Sequence, residues 1–589
     1  MAQSLLPRFT VTLTSETVYG EPLNLQACAA ALAQFSLESV VGRIALLKHI
    51  NESIICDPDA RPDDRDRHIA LSLAFLFPPE ERKLIAREIG KEPNFRPFSD
   101  QALLAVLKLA AMCCARDDDH FIHTDGQLSV LGHVLLSFQS ALFTSSFTDH
   151  LRQRKDLEQL SSEHLGQFVR NTLAHRTGLD TRSALARLYA FCCIPEVGEL
   201  VLERTKRSVA DWFQETFGME SGDYHGCAVL AAAPSLRLDL DGPDAKDLFY
   251  HENTLWNQLT PEAQARIKGL LNLAAFPVTL NTAVPEGTLA DFLFDATDFH
   301  VRPVLDIFGF SLCVSGNLLM RKFMLGLPYL AQEALLRKKG QPLTKSEIKA
   351  SRAPFGHLLE GYVGWLLERL FWPDKSVEVI RECRFGRDGE CDIVIVAGDI
   401  ALTIEVKATV PTLEARRTGI FESLDSMVEA GATQTFGAAH AVRGGEARRL
   451  DGTAIEGIRF VLPCVVTYDD VPLFHPISEF YEKHLARKTD LPLFTAANGV
   501  EPVQFFDVDF IESWERRVDL SPGSRGVFGY LLQRARRPDL RYRRIVDGVG
   551  RPAAAGAPQP FDEIAKASRE FSERVRQWLV PTPPSATSS

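Results

Sequence analysis

Apolar residues recur with a helical period through the first 240 residues. Runs such as LNLQACAAALAQF and SDQALLAVLKLAAMCCA place them at i, i+3 and i+4, as in helices that bury one stripe. Ser99 with Asp100, and Asp180 with Thr181, stand directly before two such runs and resemble helix N-caps. We find no repeat of fixed length that would indicate a solenoid. The pattern predicts a mainly α-helical domain over residues 1–240, whose role the sequence does not disclose.

The pattern becomes mixed over residues 241–350. HVRPVLDIFGFSLCVSGNLLMRKFML predicts a β-hairpin that leads into a helix. A polar stretch follows, RKKGQPLTKSEIKASR, whose basic residues are Arg337, Lys338, Lys339, Lys345, Lys349 and Arg352. A solvated helix or linker is the favoured interpretation of this stretch, and a nucleic-acid-binding patch is the alternative.

Residues 351–545 contain both helical and strand patterns. An apolar helix is expected over 355–371, where Pro373 stops it. The runs CDIVIV and ALTIEV are rich in β-branched residues and predict adjacent, centrally placed strands. Further on, the patterns predict a helix at 421–442, a strand at 458–470 and a strand running into a helix at 502–514. Residues 546–589 are predicted to form a linker, a short helix and a disordered tail.

Three charged residues lie where the packing of the two strands would not place them. If Gly398 and Asp399 form a two-residue type II′ turn, the residues that pair have numbers that sum to 797, and Asp392 faces Glu405. Opposed like charges destabilise a sheet by a few tenths to about 1 kcal/mol. A divalent cation between the carboxylates removes that penalty, and oxygen ligands suit Mg²⁺ or Mn²⁺. The period of two puts Lys407 on the face of Glu405, where an ammonium can orient water or stabilise a phosphate.

A fourth charged residue precedes the strands, on the apolar helix. Glu360 has Leu359, Val363 and Leu367 around it, so its carboxylate lies beside the buried stripe, where it needs a partner. The alternative for the whole set is an edge hairpin with solvated charges.

In chain order, Glu360, Asp392 and Glu405-Val406-Lys407 resemble the PD-(D/E)XK nuclease superfamily, which has the restriction-endonuclease-like fold. Cys391 stands where the nominal motif has proline. The resemblance covers about residues 355–470 and implies an α/β core with a central mixed sheet flanked by helices. We therefore expect a nuclease-like α/β domain over residues 351–545.

This resemblance also implies a chemistry, Mg²⁺-dependent hydrolysis of phosphodiester bonds. Asp392, Glu405 and Glu360 would bind the metal, and Lys407 would assist the attacking water. Gln434 falls where several relatives carry a glutamine that faces the site, although a surface amide is an equal interpretation.

Composition limits the remaining possibilities. The net charge of −12 excludes a protein coated with basic surface, so any nucleic-acid contact needs a local patch. The segment QRARRPDLRYRR is such a candidate, with arginines around Tyr542, and a solvated helix is the alternative. Eleven cysteines without a C-x-x-C pair suggest buried thiols of a cytoplasmic protein. Neither a signal peptide nor a membrane span is indicated.

The function that we predict from the sequence is a metal-dependent DNA nuclease with a helical domain for recognition or regulation. Its biological setting would be anti-phage defence, restriction or DNA repair. The sequence leaves open whether it binds protein partners of such a system and whether it forms a homo-oligomer. One alternative is a catalytically inactive nuclease-like fold that binds nucleic acid or assembles a complex. RNA as the substrate is another. The chain has no G-x-x-x-x-G-K-[ST] motif, so intrinsic ATPase activity is not expected.

Overall fold

The computed structural model describes most of the chain between Thr14 and Arg537. The described residues are 14–56, 62–89, 98–114, 122, 124–143, 181–236, 248–251, 253–277, 293, 297–307, 310–371, 374–387, 389–408, 421–468, 477–517, 526–537, 573 and 576–579. Arg541, Tyr542, Arg543 and Arg544 of the predicted basic segment lie outside these ranges, as does most of the predicted linker and tail.

The described first half is helical. Its helices are α1 (Ser15–Val18), α2 (Leu25–Leu32), α3 (Leu37–Cys56), α4 (Pro62–Leu76), α5 (Pro79–Ile89), α6 (Asp100–Cys113), α7 (Asp125–Phe143), α8 (Thr181–Cys193), α9 (Pro195–Thr205), α10 (Val209–Phe217) and α11 (Ser221–Leu236). Ser99 caps α6 as predicted, because its side chain accepts a hydrogen bond from the Ala102 N–H. Ser208 and Asp211 form a reciprocal capping box at the start of α10.

A small three-stranded sheet lies in the middle of the chain, among five further helices. These elements are α12 (Thr254–Asn257), α13 (Pro261–Leu273), β1 (Ala275–Pro277), α14 (Thr297–Val301), β2 (Val304–Ile307), β3 (Phe310–Cys313), α15 (Gly316–Met324) and α16 (Leu327–Lys339). Strands β2 and β3 pair antiparallel and lead into α15, so the predicted hairpin and helix are confirmed. Strand β1 adds to β2 in parallel.

A five-stranded mixed sheet organises the second half. Its elements are α17 (Lys345–Phe371), β4 (Val377–Phe385), β5 (Gly389–Ala397), β6 (Ile400–Lys407), α18 (Phe421–Arg443), β7 (Phe460–Thr467), α19 (Ile477–Thr489), β8 (Gln504–Asp507), α20 (Val508–Arg517) and α21 (Val527–Arg536). The strands follow chain order, β4-β5-β6-β7-β8. The first three run antiparallel to one another, whereas β7 and β8 continue from β6 in parallel.

Three apolar cores support these elements. The first lies within α2–α7 and extends to the three-stranded sheet through Leu305 and Leu312. The second packs α8–α11, α13, α15–α17, α20 and α21 against one face of the five-stranded sheet. The third fills the opposite face, under α18. The helices of the first 240 residues are therefore divided between two cores, and α8–α11 pack with the sheet rather than with α2–α7.

Helix α17 is longer than the sequence analysis predicted. It begins at Lys345 instead of residue 355 and contains Pro354 in its interior. Part of the predicted solvated stretch is therefore the first turns of this helix. Further along, Gly361 lets the helix approach α9 closely, since a side chain there would collide with the carbonyl of Val197. This contact positions α9 beside α17.

The ten cysteines whose side chains the structure describes are all free thiols, and eight of them are buried. Within the same ranges, none of the helices combines the length and apolar character that a membrane span requires.

Candidate active site

The hairpin of β5 and β6 has the register that the sequence predicts. Val396 pairs with Ala401 and Val394 pairs with Thr403, so the paired numbers sum to 797. Gly398 adopts a φ of 62°, the left-handed conformation that the first position of a type II′ turn requires. The register prediction is therefore confirmed.

Asp392 and Glu405 lie just beyond the last pair of this ladder, Ile393 with Ile404. In the same register they are the next two residues to face each other. Asp392 is partly buried, and its Oδ2 accepts a hydrogen bond from the Val406 N–H at 2.7 Å. That bond anchors one oxygen of Asp392 to the backbone of β6, next to Glu405.

Glu405 is nearly inaccessible, with 4% of its surface exposed. Lys407 Nζ donates a hydrogen bond to its Oε1 at 2.6 Å. The other oxygen, Oε2, is buried and has no hydrogen-bond partner among the described residues. Val406 packs in the second core, on the opposite face, as the period of two predicts. One carboxylate oxygen is therefore directed into the protein without a donor, which is costly unless something else binds there.

Glu360 extends the negative charge of this pair. Its side chain is 19% exposed and lies 3.8 Å from His357 Nδ1, measured to Oε2. Burial raises the pKa of Asp392 well above its usual range, and the charges of Glu405 and Glu360 raise it further. Burial also raises the pKa of Glu405, against the lowering effect of Lys407. The three carboxylates thus repel one another across a partly dry site.

Two more glutamates border the site, and an arginine from the helical half binds both. Glu390 precedes Asp392 by two residues on β5, and Glu382 lies on β4 between residues that pair with the two neighbours of Asp392. Arg204, at the end of α9, has its Nη2 2.8 Å from Glu390 Oε1 and 2.9 Å from Glu382 Oε1. Glu382 adopts a φ of 52°, which is unusual for a residue with a side chain.

The sequence pattern did not indicate these three residues. The sequence could nevertheless have indicated Glu390, since it lies two residues before Asp392 on strand β5. The pattern around Arg204 carries no comparable signal, because it reaches the site only through the packing of α9 on α17.

The carboxylates fit a hard divalent cation, because Glu405 Oε2 has no described partner and Asp392 faces it. Mg²⁺ is commonly bound through one or two carboxylates and keeps several waters, so this pair suffices as its protein ligands. Within the described ranges, no three His, Cys, Asp or Glu side chains are arranged as a metal-holding group. Glu360 therefore acts on the pair through its charge in this structure, and its predicted role as a ligand stays a prediction.

Two other predicted contributors make no described contact with the carboxylates. Gln434 is exposed on α18, and none of its described contacts is with Asp392, Glu405 or Lys407. In the C-terminal arginine segment, Arg534 is buried over the rings of Phe506 and Phe510.

Arg536, from the same segment, binds Glu501. These two arginines are therefore engaged within the fold.

No family model, curated protein or solved structure matches this chain.

Proposed function

We propose that this protein is a metal-dependent nuclease that hydrolyses phosphodiester bonds in DNA, with a restriction-endonuclease-like domain built on β4–β8. One observation carries the proposal. Asp392 and Glu405 face each other at the end of the hairpin, and Glu405 has a buried oxygen without a donor. A structural role alone does not require two opposed carboxylates, because they destabilise the empty fold.

The chain supplies two carboxylate ligands for the metal ion and, beside them, the ammonium group of Lys407. Asp392 has one oxygen held by the Val406 N–H, which leaves the other for a metal ion. The chemistry that Mg²⁺ supplies when bound is electrostatic stabilisation of negative charge on a phosphate. Lys407 uses one N–H to hold Glu405 in place, and two more remain for a water or a phosphate oxygen. The ammonium thereby orients the nucleophile and offsets the charge that develops in the transition state.

The direct test is cleavage of plasmid DNA in the presence of Mg²⁺. Asp392→Ala and Lys407→Ala should each reduce the cleavage rate by about 10²–10³, the usual cost of removing one charge-stabilising group. Asp399→Asn is a matched control, since Asp399 lies on the same hairpin, in its turn, where its side chain is 48% exposed. It should cleave like the wild type.

Equal cleavage by the wild type and both site variants would contradict the proposal. Absence of cleavage, together with absence of Mg²⁺ or Mn²⁺ binding in calorimetry, would favour an inactive nuclease-like fold. Cleavage of RNA but not of DNA would keep the chemistry and change the substrate.

A further inference from the structure

The helix that carries Glu360 has one open face of basic and small residues. At 3.6 residues per turn, eight positions fall within an arc of about 140°. They are Lys345, Ser346, Lys349, Ala350, Ala353, Gly356, His357 and Glu360, and each is exposed or partly exposed. Before Glu360, this face of α17 has neither an acidic nor a large apolar side chain. We call this face the path: its side chains are short apart from the two lysines and His357, it carries the positive charges of Lys345 and Lys349, and it ends at the carboxylates.

Lys345 and Lys349 are the cations of this path. Both are exposed, and neither has an ion pair with a described residue. Three other basic residues nearby are engaged within the fold. Arg337 binds Glu333, Lys339 binds Glu347, and Arg352 lies over the ring of Tyr329. The two lysines of the path are therefore available to a ligand from solution.

Gly356 has no role in packing that the structure reveals. A glycine inside a helix costs about 1 kcal/mol relative to alanine, so its presence needs a reason. Gly361 and Gly364 on the same helix have one, because an added Cβ would meet the Val197 carbonyl or, at 2.8 Å, Arg381 Nε. At Gly356 an added Cβ would meet nothing within 4 Å. The same holds for Gly269 on α13, so the open space shows only that no described residue covers this face of α17 at Gly356.

Charge determines what that ligand can be. The site is rich in carboxylates, which repel a phosphodiester, and the chain carries a net charge of −12. A nucleic acid therefore needs cations next to the site to hold it there. From Lys345 to Glu360 the helix rises about 22 Å. One DNA strand advances 3.4 Å per nucleotide, so this length matches about six nucleotides.

We propose that the phosphate backbone of the DNA substrate lies along this face of α17. Lys345 and Lys349 bind its phosphates, Ala353 and Gly356 let the backbone approach the helix, and the strand then reaches the carboxylates at Glu360. This inference rests on the proposed nuclease function, which it deepens by assigning the substrate a path.

The test compares two charge reversals that change the net charge equally. Lys345→Glu/Lys349→Glu alters the path, and Lys83→Glu/Lys268→Glu alters exposed lysines on α5 and α13. Binding of a fluorescent 20-base-pair duplex is measured by anisotropy over a series of salt concentrations, in the cleavage-deficient Asp392→Asn background with Mg²⁺. The path reversal should weaken binding at least tenfold, and the slope of log K against log salt should become shallower by about two.

Gly356→Leu tests the path without a change of charge. Leucine is a better helix former than glycine, so thermal stability should be unchanged or higher. DNA binding should nevertheless fall by about an order of magnitude, because the side chain fills the open space.

Several outcomes would overturn the path. They are equal effects of the two charge reversals, wild-type binding by Gly356→Leu, and no binding of the duplex by the parent protein. If the plasmid is cleaved but the path variants bind normally, the path fails while the nuclease function stands. If binding depends on the two lysines but Mg²⁺ supports no cleavage, the path stands and the nuclease function fails.

Discussion

Two buried glutamates of this protein differ in how completely they are paired. Glu512 on α20 accepts two hydrogen bonds from Arg187, each of 2.7 Å, and a third of 2.7 Å from the Tyr362 hydroxyl. Glu405 on β6 accepts one, from Lys407, and its second oxygen has none among the described residues. Both side chains are almost fully buried.

The difference separates a carboxylate that is fully paired within the fold from one that is only half paired. Arg187 offsets the desolvation of Glu512, and the pair joins α8 to α20 and α17 inside the second core. Around Glu405 the nearest charges include Asp392 and Glu360, which add repulsion instead of relieving it. The fold thus satisfies one buried carboxylate with three donors and leaves the other with one, and the proposed metal site rests on that unpaired acceptor.

A third charged cluster, in the first core, follows the structural pattern. Lys48 is fully buried, 2.5 Å from Glu52 Oε1 and 3.4 Å from Asp100 Oδ1. Asn51 donates a further hydrogen bond to Asp100. Opposite charges are thus held together in this cluster, unlike those at the end of the β5–β6 hairpin.

The largest expected change in the free energy of unfolding is at Glu512, the fully paired glutamate. Arg187→Met leaves Glu512 buried without its cation and should lower the free energy of unfolding by about 3–5 kcal/mol. Urea denaturation measures the change. The double variant Arg187→Met/Glu512→Leu removes both charges and should recover most of the loss. A loss below about 1 kcal/mol in the single variant would contradict the interpretation of this pair as structural.

The free energy of unfolding should depend on pH because His49 is buried in the first core. Burial lowers the pKa of His49 to about 4. The unfolded chain takes up this proton near pH 6.5, so stability is lost as pH falls from 6.5 towards 4, by up to about 3 kcal/mol. Urea denaturation from pH 7 to 4 should give a shallower decline for His49→Gln than for the wild type. Parallel curves would show that the ring does not titrate in this way.

At the Asp392–Glu405 pair, removal of a charge should raise the free energy of unfolding instead of lowering it. Asp392→Asn removes like-charge repulsion and should raise stability by up to about 1 kcal/mol without divalent cations. Because folding raises the pKa of Asp392, the advantage of the variant should grow as pH rises above about 4. Added Mg²⁺ should raise the melting temperature of the wild type but not of Asp392→Asn. Asp399→Asn should respond to Mg²⁺ like the wild type, and a destabilised Asp392→Asn would refute the comparison.

The smallest effect is expected at Arg204. Arg204→Ala frees Glu382 and Glu390 beside the carboxylates and should strengthen Mn²⁺ binding about two- to fivefold, in line with a partly exposed ion pair. Calorimetric titration with Mn²⁺ provides the measurement. Arg207→Ala is the control, because the Arg207–Glu215 pair is solvent-exposed. Equal affinities in the two variants would exclude an electrostatic role for Arg204.

Local patterns in the sequence determined the hairpin at the centre of this protein. The turn at Gly398, the β-branched runs and the period of two were sufficient to predict that Asp392 faces Glu405 and that Lys407 shares the face of Glu405. Each of these relations spans only a few residues, so backbone geometry sets it before distant parts of the chain contribute. The helix at 421–442 and the strand before α20 follow from local periodicity in the same way.

Only the tertiary structure decided what surrounds the hairpin. Arg204 contacts Glu390 across 186 positions of the chain, and no local period relates the two. Arg534, predicted as a possible phosphate contact, is buried against Phe506 and Phe510. Both outcomes depend on how α9 and α21 pack, since a charged side chain is placed by the surfaces that its helix covers. The sequence thus determined the pair of facing carboxylates, and the packing of distant helices decided which charges border them.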